Sequence, residues 1–247
     1  MTQPLETLAQ WVTDLASPDE HVRDETALSG LIDAVLGDDP VADDTARAIY
    51  DHALRDQGPL SGVGAPEGED GVFGRSFTLE LLAVLHHREN ASPFLGRDRG
   101  ERGRLAWQAV VEHENDFRSR VEGAGWAHVV AHAADLADEL LVDPGSDDAA
   151  QRSIVAGVAT LVSRSPRVYD GEEEDRLAQA LCSAVGRRAA ALDEIVAFAG
   201  RCAEQGADDV PRQNWKAVVR SLFFRVGDER DDATRVLRDL EQQLVRI

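Results

Sequence analysis

The chain has 247 residues, 43% hydrophobic but only 5% aromatic, which is enough apolar content for a sizeable core. Its 46 acidic residues against 26 basic ones leave a formal charge of −20, and with no basic cluster along the chain this balance argues against nucleic acid as a partner. No apolar run is long enough to span a bilayer, MTQPLETLAQW lacks the basic and apolar regions of a secretion signal, and Cys182 and Cys202 form no C-x-x-C pair, so a cytoplasmic protein with no membrane partner and two buried, reduced thiols is expected.

Leu5, Leu8, Trp11, Val12 and Leu15 recur at helical period after Thr2 and predict a first helix. Ser17-Pro18-Asp19-Glu20 reads as the next helix start, with Ser17 as cap and Glu20 completing a capping box; that helix runs to about Leu36 and stops at Gly37. The unit from Leu15 to Leu36 resembles a HEAT repeat, with Asp19 in the turn, the Val22-Arg23 pair, and Ala27 and Leu31 as its apolar positions. The resemblance implies a structural role for Arg23, joining adjacent units by ion pairing. A third helix is expected over residues 41–55. The glycine-rich GPLSGVGAPEGEDG that follows lacks the G-x-x-x-x-G-K-[ST] phosphate signature, and Glu67, Glu69 and Asp70 would repel phosphate, so it reads as a flexible connection. The fourth helix, residues 72–87, places Phe73, Phe77 and Leu81 on its core face, leaves Arg75 to pair, and ends at His86 and His87.

Residues 96–103 read as a charged loop, and 105–121 as a fifth helix whose last turns carry Glu114, Asp116 and Arg118. A short connector leads into GWAHVVAHAADLADELL, expected to be helical from Trp126 to Leu141. His128 and His132 stand four residues apart and Asp135 three further on, which sets them along one stripe, while Val129, Leu136 and Leu140 face the core. A histidine pair at this spacing can hold a divalent metal, but His128 and Asp135 lie about 10 Å apart along a helix axis. A third ligand must therefore come from a neighbour, and a short loop would bring the Glu114/Asp116 end of the fifth helix close; His87 is a more remote source. Three readings stay open: a structural network in which Asp135 orients His132, a metal site of His128, His132 and Asp116, or a metal-free pocket with acid-base capacity in which Arg118 or Arg75 holds an anion. HVVAH lacks the glutamate of HExxH, and no histidine follows a glutamate by three residues, so two familiar metal patterns are absent.

The stretch ENDFRSRVEGAGWAHVVAHAAD, with RDETALSGL at Arg23 to Leu31 and VFGRSFTLELLAVL at Val72 to Leu85, resembles a bacterial family catalogued as domain of unknown function 2785. The resemblance covers most of residues 10–142, with a fainter echo in NWKAVVRSLFFRV. It implies a soluble α-helical domain, carries no activity across, and places Asp116, Arg118, Gly125, Trp126, His128, His132 and Asp135 in the family motif.

Asp143-Pro144-Gly145-Ser146 breaks the chain, and 143–147 is the one place for a subdivision of a single domain over 1–247. Ile154, Val158, Leu161 and Val162 mark a seventh helix, SRSPRVYDGEEED a loop with a solvated acidic run, and residues 177–185, 195–202, 215–224 and 236–245 four further helices. No alternation of β-branched residues signals a strand. The expected fold is all-α, an α-α superhelix of HEAT-like hairpins with about ten or eleven helices. No nucleophile elbow, dinucleotide fingerprint, EF-hand loop or zinc cysteine set is present. The expected function is a binding scaffold for a protein or peptide partner, with Trp126 and an acidic rim suited to a basic or amphipathic segment. The alternative is a metal- or small-ligand-binding pocket centred on His128 and His132, hydrolytic if it is catalytic. No cofactor is implied beyond the divalent metal of that alternative.

Overall fold

The computed structural model describes residues 3–58, 60–188, 190–204, 209–226 and 231–245. Thr2, where the first helix was expected to begin, and Pro59 of the glycine-rich connection lie outside them. Among the described residues the fold consists of eleven α-helices and one two-stranded hairpin. The first hairpin pairs α1 (Leu5–Asp14) with a rod that is π-helical over His21–Leu28 and continues without a break as α2 (Ser29–Leu36). Then come α3 (Asp43–Ala53), α4 (Gly71–Ala91) and α5 (Arg97–His113), the strands β1 (Arg120–Val121) and β2 (Gly125–Trp126), and α6 (Val129–Val142). The chain closes with α7 (Asp148–Arg164), α8 (Glu173–Arg187), α9 (Ala190–Ala203), α10 (Val210–Val226) and α11 (Asp231–Val245).

Helices two apart in sequence pack side by side. One row runs α2, α4, α6, α8, α10, and behind it α5, α7, α9 and α11 form a second. The apolar residues between the rows form one continuous core. α4 is its centre, buried along nearly all its length and packed against α2 on one flank and α6 on the other. Cross-row contacts lock the layers: Trp107 of α5, 2% exposed, donates its indole N–H to the Ala133 carbonyl of α6 at 2.7 Å, and its ring covers Gly157 of α7.

Several expected boundaries move, each for an identifiable reason. The second rod is capped by Asp19, whose Oδ1 accepts the N–H groups of His21 (2.9 Å) and Val22 (3.4 Å); Ser17 Oγ accepts only from Asp19, and no capping box forms with Glu20. Residues 96–103 are not a loop: α5 starts at Arg97, and Gly103 provides the missing side chain that lets Tyr50 lie against the helix. Its end also differs. The helix stops at His113, not Val121, because Glu114 takes the N–H groups of Asn115 and Asp116 with its own carboxylate, both at 2.9 Å. The β-hairpin, unforeseen in the sequence, then occupies residues 120–126, so the central helix begins at Val129 and not at Trp126. The glycine-rich connection is tied down through Gly64, Gly68 and Glu69, which bond Asn115, Asp116 and Arg118. The acidic run at 172–175 is not all solvated, since Glu173 is 2% exposed and accepts the Gly171 N–H. Cys182 and Cys202 are free thiols, partly buried.

Glycine substitutions in two helices should separate packing from propensity. At Gly157 a Cβ would collide with the Trp107 ring, so Gly157→Ala is expected to lower unfolding free energy by about 1–3 kcal/mol in urea titrations. At Gly200 of α9 nothing lies within 4 Å, and Gly200→Ala should raise stability by up to about 1 kcal/mol.

Candidate functional site

The hairpin delivers the first imidazole. Strand register pairs Arg120 with Trp126 and Val121 with Gly125. Gly125 has φ of 79°, a left-handed conformation that favours glycine, and a Cβ there would displace the exposed Glu20 carboxylate. Beyond β2, the N–H groups of Ala127 and His128 both turn back to the Ser119 carbonyl, at 2.8 and 3.3 Å. That reversal holds His128 at φ 52°, left-handed and strained for a side chain of this size, while its carbonyl accepts the His132 N–H and opens α6.

A stacked column results. The Arg120 guanidinium lies 5.2 Å from the Trp126 ring, and Trp126 stacks on His128 at 4.3 Å. His128 meets His132 edge-on at 6.0 Å, and His132 meets Phe77 of α4 at 4.8 Å. At the far end the fully buried Arg23 guanidinium covers Phe77 at 4.6 Å and Phe73 at 4.2 Å, and donates to the Ala124 carbonyl in the hairpin at 2.9 Å. His132 Nδ1 shares a 2.9 Å hydrogen bond with Ser76 Oγ, and since Ser76 is 0% exposed this is no substrate-facing nucleophile. Burial drives His132 down to about 4 and lowers His128 as well, so both imidazoles are neutral at physiological pH. His128 Nε2 is buried against the Gly171 backbone without a hydrogen bond of normal geometry, and a Cβ at 171 would approach it to 2.6 Å.

Carboxylates line the next turn. Asp135 receives Nη1 of Arg176 from α8 on both oxygens at 2.9 Å and lies beside Glu80 of α4. Burial, and then the Glu80 charge, raise Asp135 to about 6; burial raises Glu80 too. Glu80 Oε2 is buried, and among the described residues no donor of the protein reaches it.

The expected site residues therefore separate into two groups. Trp126, His128, His132 and Asp135 converge, as their spacing predicts, although Trp126 and His128 sit outside the helix. Arg75 and Glu114, 1% and 0% exposed, form a closed ion pair between α4 and the segment after α5. Asp116 is taken by Arg118 at 2.6 Å and by the Gly68 N–H at 3.1 Å; burial opposes its ionisation, but these partners hold its carboxyl below the usual range. Asp116 does not join the imidazoles as a third ligand: among the described residues no three His, Cys, Asp or Glu side chains are grouped to hold a metal ion. His87 bonds Glu139 at 2.9 Å on the outer surface. Sequence reasoning missed Ser76, Glu80, Glu173 and Arg176. Glu80 left a trace as the lone acid in the apolar run Val72–Leu85, four residues after Ser76, whereas Arg176 and Glu173 are indistinguishable in sequence from a solvated acidic segment.

Opposed titrations make this cluster testable. Asp135 holds its proton to about 6 in the fold but to 3.8 ordinarily, so its contribution to stability is present below pH 3.8 and lost as pH rises through 6. His132 behaves oppositely: unfolded it protonates near 6.5, folded only near 4, so its contribution is present above 6.5 and lost on acidification toward 4. Relative to wild type, Asp135→Asn should make stability fall more steeply with acid between pH 6 and 4, by up to about 1.4 kcal/mol per pH unit, and His132→Gln should shift the slope by a similar amount the other way. Urea titrations across pH that gave three parallel profiles would show that neither group is buried as described.

Comparison with known proteins adds a family and no activity. Neither a curated protein nor a solved structure matches the chain. A family model described as "Protein of unknown function (DUF2785)" matches residues 61–224, which takes in α4, the hairpin and the imidazole column and extends through most of α10. The Arg23–Leu31 block lies ahead of that match. With more than half of its length matched, the chain belongs to the DUF2785 family of proteins of unknown function.

Proposed function

We propose that the chain is a cytoplasmic helical-repeat scaffold, an α-α superhelix of HEAT-like hairpins, that holds a protein or peptide partner on the face of its even-numbered helices. The observation that carries this reading is the row α4, α6, α8, α10, whose outward side chains are tied from helix to helix. His87 bonds Glu139, Arg176 bonds Asp135, Gln179 bonds Asp138, and Arg225 bonds Gln179. Such rungs favour a broad polar surface of fixed shape, the kind that repeat proteins present to partners. The charge of −20 favours a basic, amphipathic segment as occupant, since complementary charge speeds encounter and fixes orientation. Fluorescence anisotropy with labelled basic amphipathic peptides should report binding that weakens with salt, and Asp138→Lys with Asp175→Lys should reduce affinity by about tenfold or more. Binding indifferent to both reversals and to salt, or none at all, overturns the reading.

A second reading, a small-ligand or metal pocket at His128 and His132 with hydrolytic capacity, is favoured by the unpartnered Nε2 of His128 beside Glu173. It predicts stoichiometric metal after zinc, manganese or iron supplementation of untagged protein, or ester hydrolysis that His128→Ala abolishes. Substoichiometric metal together with hydrolysis unchanged in His128→Ala removes it.

A further inference from the structure

The other end of the molecule carries a different surface. α10 has Arg212, Lys216, Arg220 and Arg225 and not one acidic residue, in a chain where acids outnumber bases 46 to 26. Lys216 is the only lysine of the chain. Between α10 and α11 lies a groove of about 290 Å³ lined by Arg220, Phe223, Phe224, Leu237, Arg238 and Glu241. Phe224 stands on its rim 80% exposed, the most exposed large apolar side chain among the described residues, edge-on to Phe223 at 5.4 Å. A phenyl ring held this far into water beside an open apolar groove costs stability unless something covers it.

The arginines say what kind of partner would do so. Arg220 is neutralised by Glu241 at 2.7 Å, and Arg225 bonds Gln179 and faces Asp175. Arg238 differs: its guanidinium lies 5.5 Å from the Phe223 ring, and among the described residues it enters no ion pair with a carboxylate. The groove thus offers a ring to cover and a cation to pair, side by side. A second copy of this chain would set two whole bodies of charge −20 against each other, a larger repulsion than a short segment meets when its one carboxylate lies beside Arg238. We infer that the α10–α11 groove docks a short apolar-acidic segment of another protein, placing a leucine or aromatic side chain on Phe224 and an adjacent carboxylate on Arg238. Stacking on the phenyl and a charge-assisted bond to a guanidinium preorganised by its own ring contact are the two interactions that select it. This site has a charge requirement opposite to that of the even-helix face, and it goes beyond that reading without resting on it.

The test uses the full chain and fluorescein-labelled peptides in which leucine and phenylalanine alternate with glutamate, against the same peptides with lysine in place of glutamate. The acidic peptide should bind and the basic one should not at this groove. Phe224→Ser and Arg238→Glu should each weaken the acidic peptide by about tenfold or more, with Arg238→Lys retaining part of the affinity. Circular dichroism should show both variants fully helical, as expected for exposed positions, and binding of basic peptides elsewhere should be unchanged in them. No binding of the acidic peptide, its retention by Phe224→Ser or Arg238→Glu, or an equal weakening of the lysine-substituted peptide by those two variants, overturns the proposal. So does a dimer in sedimentation that Phe224→Ser abolishes, because the occupant would then be a second copy.

Discussion

A guanidinium with no access to water must find acceptors for its N–H groups inside the protein, and Arg23 finds them in three places. Its Nε binds Asp24 at 2.7 Å, Nη1 the Ser17 carbonyl at 2.9 Å, and Nη2 the Ala124 carbonyl at 2.9 Å, while its flat faces rest on Phe73 and Phe77. Removing any of these partners would leave a buried charge uncompensated. One side chain therefore joins the first hairpin, the central helix α4 and a β-turn a hundred and one residues away. The role foreseen for Arg23 as scaffold holds; the means is a carbonyl and two rings more than an ion pair between repeats.

Everything placed by the hairpin inherits that constraint. With Ala124 fixed, Trp126 and the strained His128 come to rest above His132, and the rings stack into the column that runs from Arg120 to Arg23. Its interior is kept electrically quiet. Both imidazoles are neutral, burial raises the Glu80 and Asp135 carboxyls beside Arg176, and Arg75 cancels Glu114. Among the described residues of the cluster, His128 Nε2 and Glu80 Oε2 are the buried polar atoms without a hydrogen-bond partner. The cluster ties α4, α6 and α8 together, through the Ser76–His132 hydrogen bond and the Arg176–Asp135 pair.

The two ends of the stack contrast in a way that charge totals conceal. Around α4 to α8 several acids are paired with arginines, Glu114 with Arg75, Asp116 with Arg118 and Asp135 with Arg176, whereas every charged residue of α10 is basic and Phe224 in its last turn is 80% exposed. The net charge of −20 thus conceals a local reversal of sign along α10.

Helix content and helix number were legible because the signal is local. Apolar residues at spacing three and four, as in Leu5, Leu8, Val12 or Ile154, Val158, Leu161, state which stretches coil and which face turns inward, whatever they later touch. His132 and Asp135, one turn apart in α6, were legible for the same reason, whereas His128 reaches His132 from the end of the hairpin, outside the helix. What lay beyond reach were the events that depend on partners distant in sequence. Glu114 ends α5 by capturing backbone N–H groups and is itself fixed by Arg75, thirty-nine residues earlier; the hairpin is held at Ala124 by Arg23; Arg176 reaches Asp135 from another hairpin. Periodicity written along the chain determined the rods, and only their packing decided where the chain turns back and which charges meet, because hydrogen bonds and ion pairs act through space without regard to sequence distance.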